Sequence, residues 1–412
     1  MASLTRRVSR ASGWGAVFAL TLCVATLIAS EFMPVSLLTP IAADLSMTEG
    51  RAGQAIAVSG LFAVLTSLGI SSATRGIDRR RVLLALTVLM LVSGALTALA
   101  PNAALFMAGR ALIGVVIGGF WSMSAATVMR LVPEDQVPNA MGVLNGGNAL
   151  ATTIAAPLGS FLGQYVGWRG AFFAVVPLAA ATVAWLHLTL PTMPSTRASA
   201  GGTVFRVLRR PQVAAGMLAV TVFFFGQFTL FTYLRPFLET VTRVNVSTLS
   251  LILLVTGGAG LLGTWLIGFA LRARLYSLLV VMPLIMAGIA MALITLGRIP
   301  TAAGILLGAW GLVGTAAPVA WWTWVSKVLP DDAEAGGGLM VAVVQLAIAL
   351  GAMAGGVAWD ASGHRSTFTL AAIALGASAF IGAAAAHQWQ AVKRRAIPTT
   401  APPEEVKHAQ AA

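Results

Sequence analysis

The stretch WGAVFALTLCVATLIASEFMPVSLLTP, Trp14 to Pro40, decides how the rest of the chain is read. From Gly15 to Ser30 every residue is apolar or small, and apolar residues resume after Glu31 as far as Ile41. That run exceeds the roughly 20 residues with which a helix crosses a bilayer. One carboxylate, Glu31, stands inside it. An acid at membrane depth costs on the order of a few kcal/mol even on insertion scales, so such residues face protein-lined cavities and work there. Glu31 is the only Asp or Glu well inside an apolar span, so any protons the protein moves are expected to bind it.

The rest of the composition agrees. Of 412 residues, 58% are hydrophobic and only 9% charged, and the mean hydropathy is +0.87. A soluble domain averages about 25% charged residues, which leaves a membrane protein. The net charge of +13 does not point to nucleic acid, because the basic residues fall in short loops between apolar spans, where they orient helices. The single cysteine, Cys23, allows no intrachain disulfide or cysteine-based metal site. There are no paired carboxylates, no Ser/His/Asp set and no phosphate-binding glycine loop, so neither an enzyme nor a metal or cofactor is expected. His187, His364, His387 and His408 fall at span ends, in loops or in the tail, and read as surface residues. Arg6, Arg7 and Arg10 precede an apolar run too long for a signal-peptide core, which predicts a retained first helix.

Twelve apolar segments follow one another, near 14–40, 51–73, 82–100, 103–129, 138–163, 169–190, 212–238, 247–270, 275–296, 301–326, 335–358 and 366–389. Their length and the need to pair every backbone group inside lipid make them helices, and the alternation a β-barrel needs is absent. The fold class is therefore an all-α membrane protein of twelve transmembrane helices. With the N-terminus inside, nineteen Lys and Arg fall on the cytoplasmic side and six (Arg51, Arg169, Arg235, Arg243, Arg298, Arg365) on the other, which predicts both termini in the cytoplasm. A Pro/Ser/Gly-rich basic linker, residues 191–211, divides one six-helix half (1–190) from another (212–390), and a polar tail, 391–412, is expected to be disordered. Gly159, Gly167, Arg169 and Phe172 recur as Gly355, Gly363, Arg365 and Phe368, each 196 residues on, so the halves are expected to be parallel repeats.

Four stretches carry chemistry. Between the second and third segments stand Arg75-Gly76-Ile77-Asp78-Arg79-Arg80-Arg81, either a positive anchor or a gating loop in which Asp78 meets another helix end. In the fourth segment Arg110, Gly114, Gly118 and Trp121 share a face at spacings of four, four and three. The glycines thin that face and turn Arg110 inward; the other reading is an arginine that snorkels to the interface. The fifth segment has Asn145, Asn148 and Thr152 on one face, then Ala156-Pro157-Leu158-Gly159-Ser160, small residues and a proline that permit close packing and a bend. The tenth carries Trp310, Gly314, Ala317, Trp321 and Trp324 as one stripe, of which Trp310 lies too deep for an interfacial belt. Gln227, Phe228 and Gln345 add amides and an aromatic ring in otherwise apolar runs. The expected substrate contacts are Phe32, Trp121, Asn145, Asn148, Gln227, Phe228, Trp321, Trp324 and Gln345, with interhelical hydrogen bonding and core packing as the alternative for several of them.

These blocks resemble a known family. Glu31-Phe32-Met33-Pro34, Gly119-Phe120-Trp121-Ser122, Ala156-Pro157-Leu158-Gly159-Ser160, Gly226-Gln227-Phe228 and Arg235-Pro236 look like the drug:proton antiporter branch of the major facilitators, and within it are most similar to bacterial purine ribonucleoside efflux pumps. The loop at Arg75–Arg81 departs from the family's Gly-x-x-x-Asp-Arg-x-Gly-Arg-Arg pattern, with Arg75 in place of the family's acid. The resemblance implies alternating-access export of a small neutral purine ribonucleoside such as inosine or guanosine in exchange for protons. It also implies a role for Arg110, as for Glu31, in proton coupling, Pro157 and Gly159 in the antiporter motif, Asp78, Arg79, Arg80 and Arg81 in a gating loop, and a monomer in the bacterial inner membrane. Sugar or multidrug efflux, import with the proton, and a non-transporting membrane sensor remain as alternatives.

Overall fold

The computed structural model describes residues 2–194, 207–329 and 333–396. Most of the expected linker and tail, with Arg197, Arg206 and Lys407, lie outside these residues, as do the side chains of Arg6, Arg7 and Arg10.

Among the described residues there are twelve α-helices, a single 3₁₀ turn and no strands. The first six are α1 (Ala2–Asp44), α2 (Glu49–Ala73), α3 (Arg79–Ala98), α4 (Ala103–Leu131), α5 (Val137–Phe173) and α6 (Val175–Thr189). The second six are α7 (Pro211–Phe231), α8 (Leu234–Thr240), α9 (Val246–Leu296), α10 (Pro300–Val328), α11 (Ala333–Ser362) and α12 (His364–Ala396). Eleven stretches are long and apolar enough to cross a membrane. One of them, Asn139–Thr189, is 51 residues long and breaks at Gly167, where φ is 72°, so it makes two crossings and the total is twelve.

Helix and span do not coincide everywhere. In α9 two spans, Val246–Leu271 and Arg274–Leu296, run together across a non-helical Arg274. The expected seventh segment is split into α7 and α8 at Thr232 and Tyr233, because Pro236 cannot donate to the Thr232 carbonyl. α12 continues to Ala396, past the expected start of the tail at 391.

The repeat is visible in the backbone. Gly167 and Gly363, 196 residues apart, are both left-handed, at φ 72° and 68°, and each turns the chain at the same point of its half. Only glycine adopts that region without strain. The halves meet along α2 against α11 and α5 against α9. With twelve crossings, the start of α1 and the end of α12 lie at one end of the bundle, the termini end. The other, the far end, holds the α1–α2 turn, and there the halves are tied tightly. Asp360 accepts from Thr48 Oγ1 at 2.7 Å and the Gly50 N–H at 3.0 Å, and Trp359 Nε1 donates to Glu49 at 2.8 Å. The two halves are thus held together at the far end.

Candidate functional site

The site is built on the prolines of α1. Pro34 has no N–H, so the carbonyl four residues earlier, Ser30, loses its helical donor. In lipid such a carbonyl must find another partner. Arg110 supplies it: Nη1 donates to the Ser30 carbonyl at 2.7 Å and Nη2 to the Glu31 carbonyl at 3.0 Å. Longer bonds of 3.4 Å run from the same guanidinium to the Ala55 carbonyl and Ser59 Oγ on α2. Arg110 is 1% exposed, so it points inward rather than snorkelling. The glycine face does what its spacing implies, since a Cβ on Gly114 or Gly118 would strike the Ser59 or Ala63 carbonyl of α2.

The same device recurs twice. Pro40 frees the Ser36 carbonyl, and Arg235 of α8 donates to it while holding Glu239 at 2.8 Å. Pro318 in α10 frees the Gly314 carbonyl, which accepts from Gln227 Nε2 at 3.4 Å. Arg235 is thus not the loop anchor that its place in the charge count implies; it is a buried link between the halves.

Glu31 is 4% exposed. Its carboxyl makes no ion pair with Arg110, which takes backbone oxygens instead; it accepts from Gln345 Nε2 of α11 at 3.3 Å. One residue on, Phe32 lines a cavity between the halves, together with Thr152, Thr153 and Ala156 of α5, Gln227, Phe228 and Phe231 of α7, Leu253, Thr256 and Gly257 of α9, and Trp310, Gly311, Gly314 and Thr315 of α10. No lining residue is charged. Phe32 and Phe228 stack at 5.8 Å with their planes 27° apart, and Phe231 meets both edge-on. Gln227 Oε1 and Trp310 Nε1 are buried without a hydrogen-bond partner.

Of the expected substrate contacts, Phe32, Gln227 and Phe228 line this cavity. The others lie elsewhere. Trp321 and Trp324 pack edge-to-face at 6.0 Å in the core of the second half, where Trp324 fills the notch left by Gly216. Trp121 packs on Phe120 against the core of the first half. Asn148 and Asn145 lie one and two turns from Thr152 towards the termini end, and exposed Asn145 bonds its own helix at Met141. Gln345 faces Glu31. Thr153, Thr256 and Thr315 were not singled out by spacing; lone threonines in apolar runs are the only signal they carry.

The loop residues tie within one half. Asp78 caps α3 through the Arg80 N–H at 2.8 Å and accepts from the Met193 N–H at 3.0 Å, while Arg80 donates to the His187 carbonyl at 2.7 Å. Asp78 thus meets the segment that follows α6, four residues past its last helical residue, rather than a helix end. Arg79 bonds Met193 through its backbone, and Arg81 is exposed. Pro157 and Gly159 are buried in α5, where Gly159 lets α1 approach at Met33 and Ser36.

The family model described as Major Facilitator Superfamily matches residues 19–352. "Transcription regulatory protein OpdE" of Pseudomonas aeruginosa is 57% identical over 90% of this chain and 94% of its own length. "Purine ribonucleoside efflux pump NepI" of Salmonella enteritidis is 41% identical over 90% of this chain and 94% of its own. Among solved structures, a bacterial homologue of the human lysosomal transporter Spinster, inward-facing and occupied, superposes with a TM-score of 0.73 at 16% identity, covering 90% of this chain and 96% of that one.

Proposed function

Because the chain belongs to the major facilitator superfamily, a family of multi-pass membrane transporters, we propose that it exports purine ribonucleosides in exchange for protons across the bacterial inner membrane, as a monomer with both termini in the cytoplasm. The observation that carries this reading is an uncharged, aromatic cavity one residue away from Glu31, the only fully buried carboxyl among the described residues. Aromatic faces stack a purine, and threonine hydroxyls and the Gln227 amide suit a base edge and ribose. A neutral solute needs no counter-charge. The relative named as a purine ribonucleoside efflux pump supports the same solute class.

Glu31 carries the proton, and Arg110 fixes the backbone around it. With the termini inside, the tied end faces away from the cytoplasm, and the two halves rock about the cavity to expose it to either side. Everted vesicles energised by a proton gradient test the reading when offered labelled inosine, arabinose and a cationic dye in parallel. Accumulation of inosine alone is expected. Accumulation of arabinose or dye instead moves the assignment to sugar or drug efflux.

The relative named as a transcription regulatory protein favours a second reading, a membrane sensor. The described residues are taken up by membrane helices, so an effect on transcription would run through the solute that the protein moves or senses. Tight inosine binding without vesicle accumulation favours that reading.

A further inference from the structure

Gln345 is expected from the sequence to touch substrate, yet its amide lies on Glu31. Nε2–H donates to Oε1 of the carboxyl at 3.3 Å, from α11 to α1 and therefore from one half of the molecule to the other. Glu31 and Gln345 are 4% and 7% exposed. The opposite end of the same amide, Oε1, is buried with no hydrogen-bond partner. An orphaned acceptor costs free energy in any packed interior, and more where no water reaches it.

Glu31 holds the missing donor in one of its two states. An ionised carboxylate only accepts, so it takes the Nε2–H and offers nothing to Oε1. A carboxylic acid has one O–H to give. Side by side, a primary amide and a carboxylic acid present N–H and C=O against C=O and O–H, and they close a ring of two hydrogen bonds. We propose that Gln345 is a positioning residue that reads the proton on Glu31, so that protonation converts a single hydrogen bond between the halves into a pair. The proton enters from one compartment, forms the O–H bond on the free carboxyl oxygen, and leaves to the other compartment when that bond breaks. Nothing else is consumed.

The surroundings allow the pair to respond. Arg110 is the charged group nearest to it, and its guanidinium is engaged with the Ser30, Glu31 and Ala55 carbonyls and with Ser59. The other charges with described side chains on the helices packed around the pair sit at their ends: Asp44, Glu49, Arg51, Arg169, Arg235, Glu239 and Asp360 at the far end, where Asp44 pairs with Arg169, and Arg130 and Arg210 at the termini end. Glu239 is held by Arg235, and Glu49 and Asp360 are held by contacts across the halves.

The inference rests on the proton-antiport reading, and the test separates the two. Full-length protein in lipid nanodiscs, with Cys23→Ser, carries spin labels at Ile77→Cys and Lys327→Cys, exposed positions at the termini end of either half. Inter-label distances are measured in mildly acid and mildly alkaline buffer. The wild-type ratio of closed to parted molecules is expected to change about tenfold between them, equivalent to ~1.4 kcal/mol. Gln345→Leu, and Gln345→Met as the variant of nearly equal length, are expected to lose that response. Glu31→Gln, whose amide pairs with Gln345 in both directions at every pH, is expected to stay at the acid-buffer distribution. A full response in either Gln345 variant overturns the inference and leaves Glu31 as proton carrier. A full response in Glu31→Gln overturns the antiport reading itself, and a wild-type protein indifferent to pH overturns both.

Discussion

Arg235→Met should show how much the proline notch of α1 contributes to closing the far end. The guanidinium donates to the Ser36 carbonyl that Pro40 leaves without a helical partner, and it also pairs with Glu239. A hydrogen bond to a charged group contributes about 1.5–3 kcal/mol, and an orphaned buried carbonyl costs about 1–3 kcal/mol. Part of this loss returns because the methionine no longer buries a charge, which leaves a net destabilisation of about 2–3 kcal/mol. Pro40→Ala restores an N–H at position 40 that reaches the Ser36 carbonyl within the helix, a neutral bond of about 1 kcal/mol. In the Arg235→Met background that substitution should therefore recover about 1 kcal/mol, while in the wild-type background the carbonyl is already satisfied. Denaturant titration of the four proteins in detergent, followed by tryptophan fluorescence, gives the coupling directly, with Glu239→Gln as the control for the unpaired acid. If the two changes add within about 0.5 kcal/mol, the sites are independent and Arg235 does not cap that carbonyl.

Three further outcomes are expected. Glu31→Gln should abolish uphill transport in vesicles under an imposed pH gradient while leaving exchange of labelled for unlabelled solute intact; normal uphill transport would remove Glu31 from the coupling. Gln227→Leu should raise the apparent KM for inosine about tenfold, the effect of one lost polar contact of ~1.4 kcal/mol, whereas Trp321→Phe should lower the amount of folded protein with KM unchanged, which saturation curves and fluorescence-detected gel filtration would distinguish. Gly118→Ala puts a methyl into the Ala63 carbonyl of α2 and should destabilise the first half by about 1–3 kcal/mol; an unchanged denaturation midpoint would mean that α2 and α4 are not packed as described.

The membrane spans were legible because hydropathy and length alone set them, and the repeat was legible because Gly167 and Gly363 must both be glycine to turn the chain. Arg110 on the glycine face was legible too, since helical spacing states which residues share a side. The acceptors were harder to see. Nothing in Arg-x-x-x-Gly says that the partner is a carbonyl freed by Pro34 on another helix, although Pro34 itself is the signal that such a carbonyl exists. Spacing also failed on the tryptophan stripe. Trp310 and Trp321 share a face in an unbroken helix, but Pro318 interrupts the ladder between them, and only Trp310 reaches the cavity while Trp321 and Trp324 fill the core. Gln345 was legible as a polar residue in a buried place, but whether it faced solute or acid depended on how α11 rotates against α1, which no single-helix pattern contains.

The uncharged lining of the cavity has an electrical consequence. If, as proposed, a neutral solute leaves as one proton enters, each cycle moves one elementary charge, and the voltage across the membrane would drive the exchange along with the pH difference. Each 100 mV, negative inside, supplies about 2.3 kcal/mol per charge, which by itself sustains a solute ratio of roughly 50-fold at equilibrium. Collapsing the potential with valinomycin and potassium at constant pH should slow export, and a voltage imposed without any pH difference should start it.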